Sequence, residues 1–226
     1  PDSDVAQIGL ERSLALDEVV ALFDEADNFI EDNEFEAART IYERIVGLDS
    51  YNETAKQKIS EVSIIITERE FSNIISSGYN FLEIGEPDKA IAEFQRASKL
   101  GIRSDQALAA ISQTENEIAN SKITIIQARI SSAEENEQWH NAVIEYDNVL
   151  AIDSNLLFAI NGRDYASKRA QLDDLLESSI LGPDRFYEQD VYQQTLDIYY
   201  TGREVQKDRS GARLIDQLAQ LEALLE

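Results

Sequence analysis

Apolar positions recur along this chain at helical spacing, and one set of offsets returns three times. In residues 33–50, NEFEAARTIYERIVGLDS, Ala38, Tyr42, Ile45 and Leu48 stand at offsets 0, +4, +7 and +10, which trace one face of a helix. Residues 85–102, GEPDKAIAEFQRASKLGI, place Ala90, Phe94, Ala97 and Leu100 at the same offsets. Residues 137–154, EQWHNAVIEYDNVLAIDS, place Ala142, Tyr146, Val149 and Ile152 there. The segments begin at 33, 85 and 137, a spacing of 52 in each case. A small residue followed one turn later by an aromatic is a close-packing device: the alanine admits a neighbouring helix and the ring fills the space beside it.

Upstream of the first two segments lies a second helical pattern, Leu22, Ala26 and Phe29 in one copy and Ile74, Gly78 and Phe81 in the next. Short polar connections, Glu31-Asp32-Asn33 and Glu83-Ile84-Gly85-Glu86, separate the two helices of each unit. Pro87 fits the first turn of its helix, where a missing N–H is tolerated. Each unit therefore reads as a helix hairpin. The intervening stretches, 51–84 and 103–136, carry apolar residues at Ala55, Ile59, Val62, Ile66, Ile74 and Ile75, and at Ala107, Ala110, Ile111, Ile118 and Ile125. Each predicts one helix of about 30 residues, about 45 Å long, or two helices broken near Arg69 or Ser121. The spare half of each long helix is expected to pack against the matching half of the next.

From Leu156 the pattern loosens. Ala159, Tyr165, Ala170, Leu172 and Leu176 predict a further helix, which Gly162 weakens locally. Gly182-Pro183-Asp184 breaks the chain. A second helix carries Val191, Leu196, Ile198 and Tyr199, and a third, starting at Ser210 or Gly211, carries Leu214, Leu218 and Leu221. The expected fold is all-α: three extended hairpins over residues 1–154, then a degenerate fourth repeat and capping helices over 155–226, in the same domain. Ends of such arrays need a cap because they otherwise leave an apolar face in water.

Composition agrees with long helices: 226 residues hold only 9 Gly and 3 Pro, fewer than turn-rich folds use. The formal net charge of −24 repels phosphate backbones, and no Lys/Arg cluster supplies the basic patch that nucleic-acid binding needs. The absence of cysteine removes disulfides, thiol catalysis and Cys-based zinc sites. No apolar run reaches the ~18 residues of a membrane span, so no direct membrane insertion is expected of this segment. A chain without methionine that begins at Pro1 reads as a processed piece, whose upstream signal or anchor would be invisible here.

Candidate chemistry is sparse. His140 is the only histidine and reads as a surface position beside Trp139, which packs the hairpin. No G-x-S-x-G, G-x-G-x-x-G or P-loop motif is present. Residues 153–164 do not form a calcium loop, because apolar residues occupy ligand positions. Glu134, Glu135 and Glu137 form the densest carboxylate group and read as a solvated loop. No catalytic residue, metal site or cofactor is expected.

The repeat resembles the tetratricopeptide repeat (TPR). Gly78, Phe81, Gly85, Ala90, Phe94 and Ala97 match that family's pattern of small and aromatic positions, as do Ala26, Phe29, Ala38 and Tyr42. The third copy matches only in its second helix, through Trp139, Ala142, Tyr146 and Val149. Ser50, Ile102 and Ser154 stand where the family often has Pro, and the period of 52 exceeds the family's usual one, which is about 34. The resemblance implies a solenoid of antiparallel hairpins with long first helices, and a partner groove lined by the first helix of each hairpin. The corresponding positions are Val20, Phe23, Asp27 and Ile30, then Ser72, Ile75, Tyr79 and Leu82, then Thr124, Gln127, Ser131 and Glu134. Phe23, Asp27, Ile30, Ile75, Tyr79, Leu82, Gln127 and Ser131 are the candidate partner-binding residues. These slots lack the Lys/Asn/Arg clamp with which some members hold a chain-end carboxylate. The expected partner is a protein or peptide with apolar anchors and some basic residues. The expected function is a protein–protein interaction scaffold; the alternative is a structural or oligomerising spacer in a larger protein, and an enzyme is not expected. More weakly, residues 182–226 resemble the segment that closes extended TPR modules in proteobacterial membrane-anchored proteins with PEGA-like domains. That implies a periplasmic array tethered to the inner membrane through a segment outside this sequence, with a cytoplasmic location still open.

Overall fold

The computed structural model describes residues 4–209 and 211–226. Among these the chain is all-helical, with no strand. In order, α1 is Asp4–Glu31, α2 Phe35–Leu48, α3 Glu53–Glu83, α4 Pro87–Ser98, α5 Ser104–Glu135, α6 Trp139–Ile152, α7 Leu157–Leu181, α8 Gln189–Asp208 and α9 Ala212–Leu225. Neither Arg69 nor Ser121 is a break: α3 runs unbroken for 31 residues and α5 for 32. The chain divides into two compact units, residues 1–115 and 116–226, and the division falls inside α5.

In the first unit, two clusters show how the long helices are used. Val19, Leu22 and Ala26 of α1 pack with Ala38, Tyr42 and Ile45 of α2 and with Ala55 and Val62 from the first half of α3. Phe71, Ile74 and Ile75 from the second half of α3 pack with Ala90, Phe94 and Ala97 of α4 and with Ala107 and Ala110 of α5. The spare half of α3 thus covers the preceding short helix, which corrects the expectation that it pairs with the next long helix. The reason lies in α2: Ala38, Ile41, Tyr42, Ile45 and Val46 form an apolar face too wide for α1 alone, and α3 takes the remainder out of water. The fourth expected face position sits at the rim, since Leu48 and Ile152 are 40% and 37% exposed.

The turns that end the first helix of each repeat are built alike. Asn33, Gly85 and Glu137, spaced 52 apart, all have left-handed backbone, with φ of 61°, 77° and 51°. In each turn the next residue's N–H reaches back five residues: Glu34 to Phe29 O, Glu86 to Phe81 O and Gln138 to Ala133 O, all at 2.8 Å. This is the Schellman closure of a helix C-terminus, which favours Gly or Asn at the left-handed position. Asn33 and Gly85 obey that preference and Glu137 does not. Asn52 starts α3 by accepting from Ala55 N at 3.0 Å, and Pro87 stands in the first turn of α4.

In the second unit, Ile126, Ile130 and Ala133 of α5 pack with Trp139, Ala142, Tyr146 and Val149 of α6 and with Ala159, Ala166 and Ala170 of α7. A further cluster joins Leu172 and Leu176 of α7 to Tyr199 of α8 and to Leu214, Leu218 and Leu221 of α9. Gly162 does more than weaken α7: a Cβ there would lie 2.2 Å from the Tyr146 ring, so glycine is what lets α6 approach. Pro183 opens a single 3-10 turn, Pro183–Arg185, that separates α7 from α8. Gly202 would meet Leu218 as Gly78 would meet Phe94, at the same offset of 16 residues, so α8 and α9 reuse the close-packing device. Gly211 immediately precedes α9; Ser210, the other expected start, lies outside the described residues.

Candidate functional site

The expected partner-binding residues of α1 form an uneven strip. Val20 is 53% exposed, Phe23 is half-buried with its ring 5.9 Å from Tyr42, Asp27 is exposed and Ile30 is half-buried. Leu16, 57% exposed, extends the strip toward the start of the helix. There it borders a recess of about 380 Å³ whose lining includes Gly9, Ser13, Leu16 and Val19. Arg12 and Asp49 stand at the same recess: the Arg12 Nε donates to Asp49 Oδ2 at 3.0 Å, and Asp49 Oδ1 accepts from Tyr51 N at 3.1 Å. The buried Asp49 thereby ties α1 to the α2–α3 turn.

On α3 the expected residues separate. Tyr79 is 45% exposed and rests edge-on against Phe94 at 5.2 Å, and Leu82 is half-buried. Ile75 is only 7% exposed and belongs to the core with Phe71 and Phe94. This corrects its assignment to an open groove: the side chain is spent on helix packing. Gln127 and Ser131 are exposed residues of α5 in the second unit.

Of the three carboxylates read as a solvated loop, Glu135 is exposed at the end of α5, but Glu134 is half-buried and Glu137 is buried. Glu137 is 7% exposed, and its carboxylate accepts from the backbone N–H of Arg213 at 2.6 Å and of Leu214 at 3.2 Å. It also lies 3.5 Å from the buried Arg169 guanidinium. Arg169 in turn sits 4.6 Å from the centre of the Trp139 ring and donates to Arg209 O at 3.2 Å. Glu137 therefore serves as the N-terminal cap of α9, a role for which Gly211 has no side chain. The carboxylate also faces the positive end of the helix dipole. Glycine is required at 211 because a Cβ there would fall 2.1 Å from the Glu137 carboxyl carbon. Beside this, Glu134 accepts from Tyr146 OH and from Arg209 Nη2, both at 2.9 Å. The chemistry of the cluster is that of a latch, since it places one carboxylate against a guanidinium and two helix-end amides. Sequence inspection missed it because Glu137, Arg169 and Arg213 are far apart in the chain. The one available signal was an acidic residue where the repeat favours Gly or Asn.

Two tyrosines show the same electrostatic design. Burial, then the hydrogen bond to Asp27 and its charge, push the Tyr42 hydroxyl up to about 12. Burial, then the bond to Glu134 and its charge, push Tyr146 up to about 12 as well, with Arg209 pulling the other way. Both groups ordinarily titrate near 10. The folded state thus keeps its phenolic protons where the unfolded chain loses them. Stability from these groups is full below about pH 10 and falls as pH rises toward about 12. Urea unfolding followed from pH 9 to 12, about the window of these two hydroxyls, is expected to show a steep alkaline loss. Tyr42→Phe should flatten it for residues 1–115, and an unchanged slope would contradict the account.

His140 is exposed and pairs with Asp174 at 2.9 Å, also exposed. The recess around them, about 280 Å³, is lined mainly by polar and acidic groups including Asp173, Glu177 and Arg213. Among the described residues, no group of three or more His, Asp or Glu is placed to hold a metal ion. No described helix is long and apolar enough to cross a membrane. Comparisons with protein-family models, with curated proteins and with solved structures find no match to this chain.

Proposed function

We propose that this chain is a protein-interaction scaffold of the TPR-like kind, a solenoid of helix hairpins that takes a partner segment along the outward strip of α1. The observation that carries the reading is the row Leu16, Val20 and Phe23, with Leu16 and Val20 more than half exposed, running into the recess beside Arg12 and Asp49. Apolar side chains left in water along a helix, next to a carboxylate such as Asp27, suit a partner with apolar anchors and a basic residue. The net charge of −24 draws such a partner in and makes its capture salt-dependent. Catalysis has no part in this reading.

The test is site-specific photocrosslinking in the source cell, with the probe at Val20 and, as a control, at Glu43 on the exposed side of α2. A discrete adduct at Val20, absent at Glu43 and lost in Leu16→Asp, is the expected result. Equal labelling at both positions, or none, would remove the strip as the binding surface.

A further inference from the structure

The recess beside Leu16 has a polarity that its lining dictates. Asp49 is the acceptor there, and both of its oxygens are engaged, Oδ2 by Arg12 Nε at 3.0 Å and Oδ1 by Tyr51 N at 3.1 Å. Asn52 spends its Oδ1 on Ala55 N at 3.0 Å. What these side chains leave over are donors. Among the described residues, the Nη groups of Arg12 and the Nδ2 of Asn52 make no hydrogen bond. Ser13 adds a hydroxyl, and Leu16 and Val19 supply an apolar wall. The Arg12–Asp49 pair is also turned one way: the carboxylate side chain is 8% exposed and the arginine side chain 50%. The positive end of the pair therefore faces outward, with its position fixed through Nε and its fork of Nη donors open. The turn itself does not need this arginine. In the third repeat Asp153 makes the same bond, to Asn155 N at 2.9 Å. The residues in the Arg12 and Asn52 positions are Asn116 and Leu156 in that repeat, and Ile64 and Ser104 in the second. Guanidinium and amide come together only in the first.

We infer that the recess takes a carboxylate, the side chain of an Asp or Glu in the partner segment on the strip, which rests on the scaffold reading above and gives that partner a second charge. Arg12 and Asn52 donate to the carboxylate oxygens, and Leu16 and Val19 meet the apolar residue beside it. Asp27 lies about 22 Å further along α1 at 1.5 Å per residue. The partner segment therefore carries an acidic and a basic residue about that far apart, with its apolar anchors between them. The net charge of −24 opposes an anion at long range. Solution ions screen that repulsion beyond about 8 Å, whereas the guanidinium acts in contact.

The probe is the peptide acetyl-Leu-Glu-amide, titrated into the full chain beside its neutral twin acetyl-Leu-Gln-amide and beside inorganic phosphate, with NMR of the Arg12 and Asn52 side-chain N–H signals. The Glu peptide should shift both signals and bind at least about tenfold more tightly than the Gln peptide. Phosphate has no apolar group for Leu16 and should bind more weakly than the Glu peptide. Asn52→Asp keeps an oxygen to cap α3 and replaces the Nδ2 donors with negative charge. It should abolish binding of the Glu peptide without lowering the melting temperature, and it should cut the yield of the Val20 photoadduct in the cell. Equal affinity for the two peptides, tighter binding of phosphate, or full binding in Asn52→Asp would overturn the inference. A Val20 adduct of undiminished yield in Asn52→Asp would overturn it too, while leaving the strip as the binding surface. Binding of the Glu peptide by a chain that gives no Val20 adduct would remove the strip and support the recess as a carboxylate site.

Discussion

Glu137→Gln is expected to destabilise residues 116–226 by about 3–5 kcal/mol, the cost of leaving one member of a buried ion pair without its partner. The side chain keeps its size, and the left-handed backbone at 137 is unchanged, so the variant removes charge and little else. Two losses combine. Arg169, 5% exposed in its side chain, keeps a full positive charge with no carboxylate beside it. The first turn of α9 loses the anionic acceptor that the Arg213 and Leu214 amides share. Urea unfolding should show the loss, and hydrogen exchange should place it: the Arg213 and Leu214 amides exchange faster while residues 53–83 keep their protection. Adding Arg169→Gln should cost less than the sum of the two single changes, because the second charge then leaves with the first. Unchanged exchange at the start of α9 would mean that Gly211 and water cap this helix, and the latch would be lost as an explanation.

The second large effect is a substitution that usually helps a helix. Gly78→Ala is expected to destabilise residues 1–115 by about 1–3 kcal/mol, the range for overpacking a close-packed core. An alanine Cβ at 78 would stand 2.3 Å from Phe94 Cε1, with two more ring atoms inside 3.0 Å. Phe94 is fully buried and Tyr79 presses edge-on against its ring at 5.2 Å, so the ring has nowhere to swing. Gly47 in α2 is the control, since nothing lies within 4 Å of its added Cβ. There the same change should stabilise by about 0.5–1 kcal/mol through helix propensity. Thermal melts of the two variants should move in opposite directions. Phe94→Leu should restore part of the loss in the Gly78→Ala background, and failure to do so would show that the strain lies elsewhere.

Much of this architecture was legible in the chain because helical packing is local. The 0, +4, +7 offsets identified Ala38, Tyr42 and Ile45, and their counterparts in α4 and α6, and all nine are buried. The long helices followed from the scarcity of Gly and Pro. The candidate partner residues were less legible. Periodicity assigns a residue to a face but does not say how far the neighbouring helix reaches across it, so Ile75 went to the core while Tyr79 stayed half exposed.

What the sequence determined by itself is therefore the helices and the small-then-aromatic face that recurs on α2, α4 and α6, because each depends on residues only a few turns apart. Tertiary structure decided two further things. It laid the first half of α3 over α2, and it turned the glutamate at the left-handed position of the third repeat into the cap of α9. Each joins groups distant along the chain, and burial and hydrogen bonding between such groups are settled only when the helices meet.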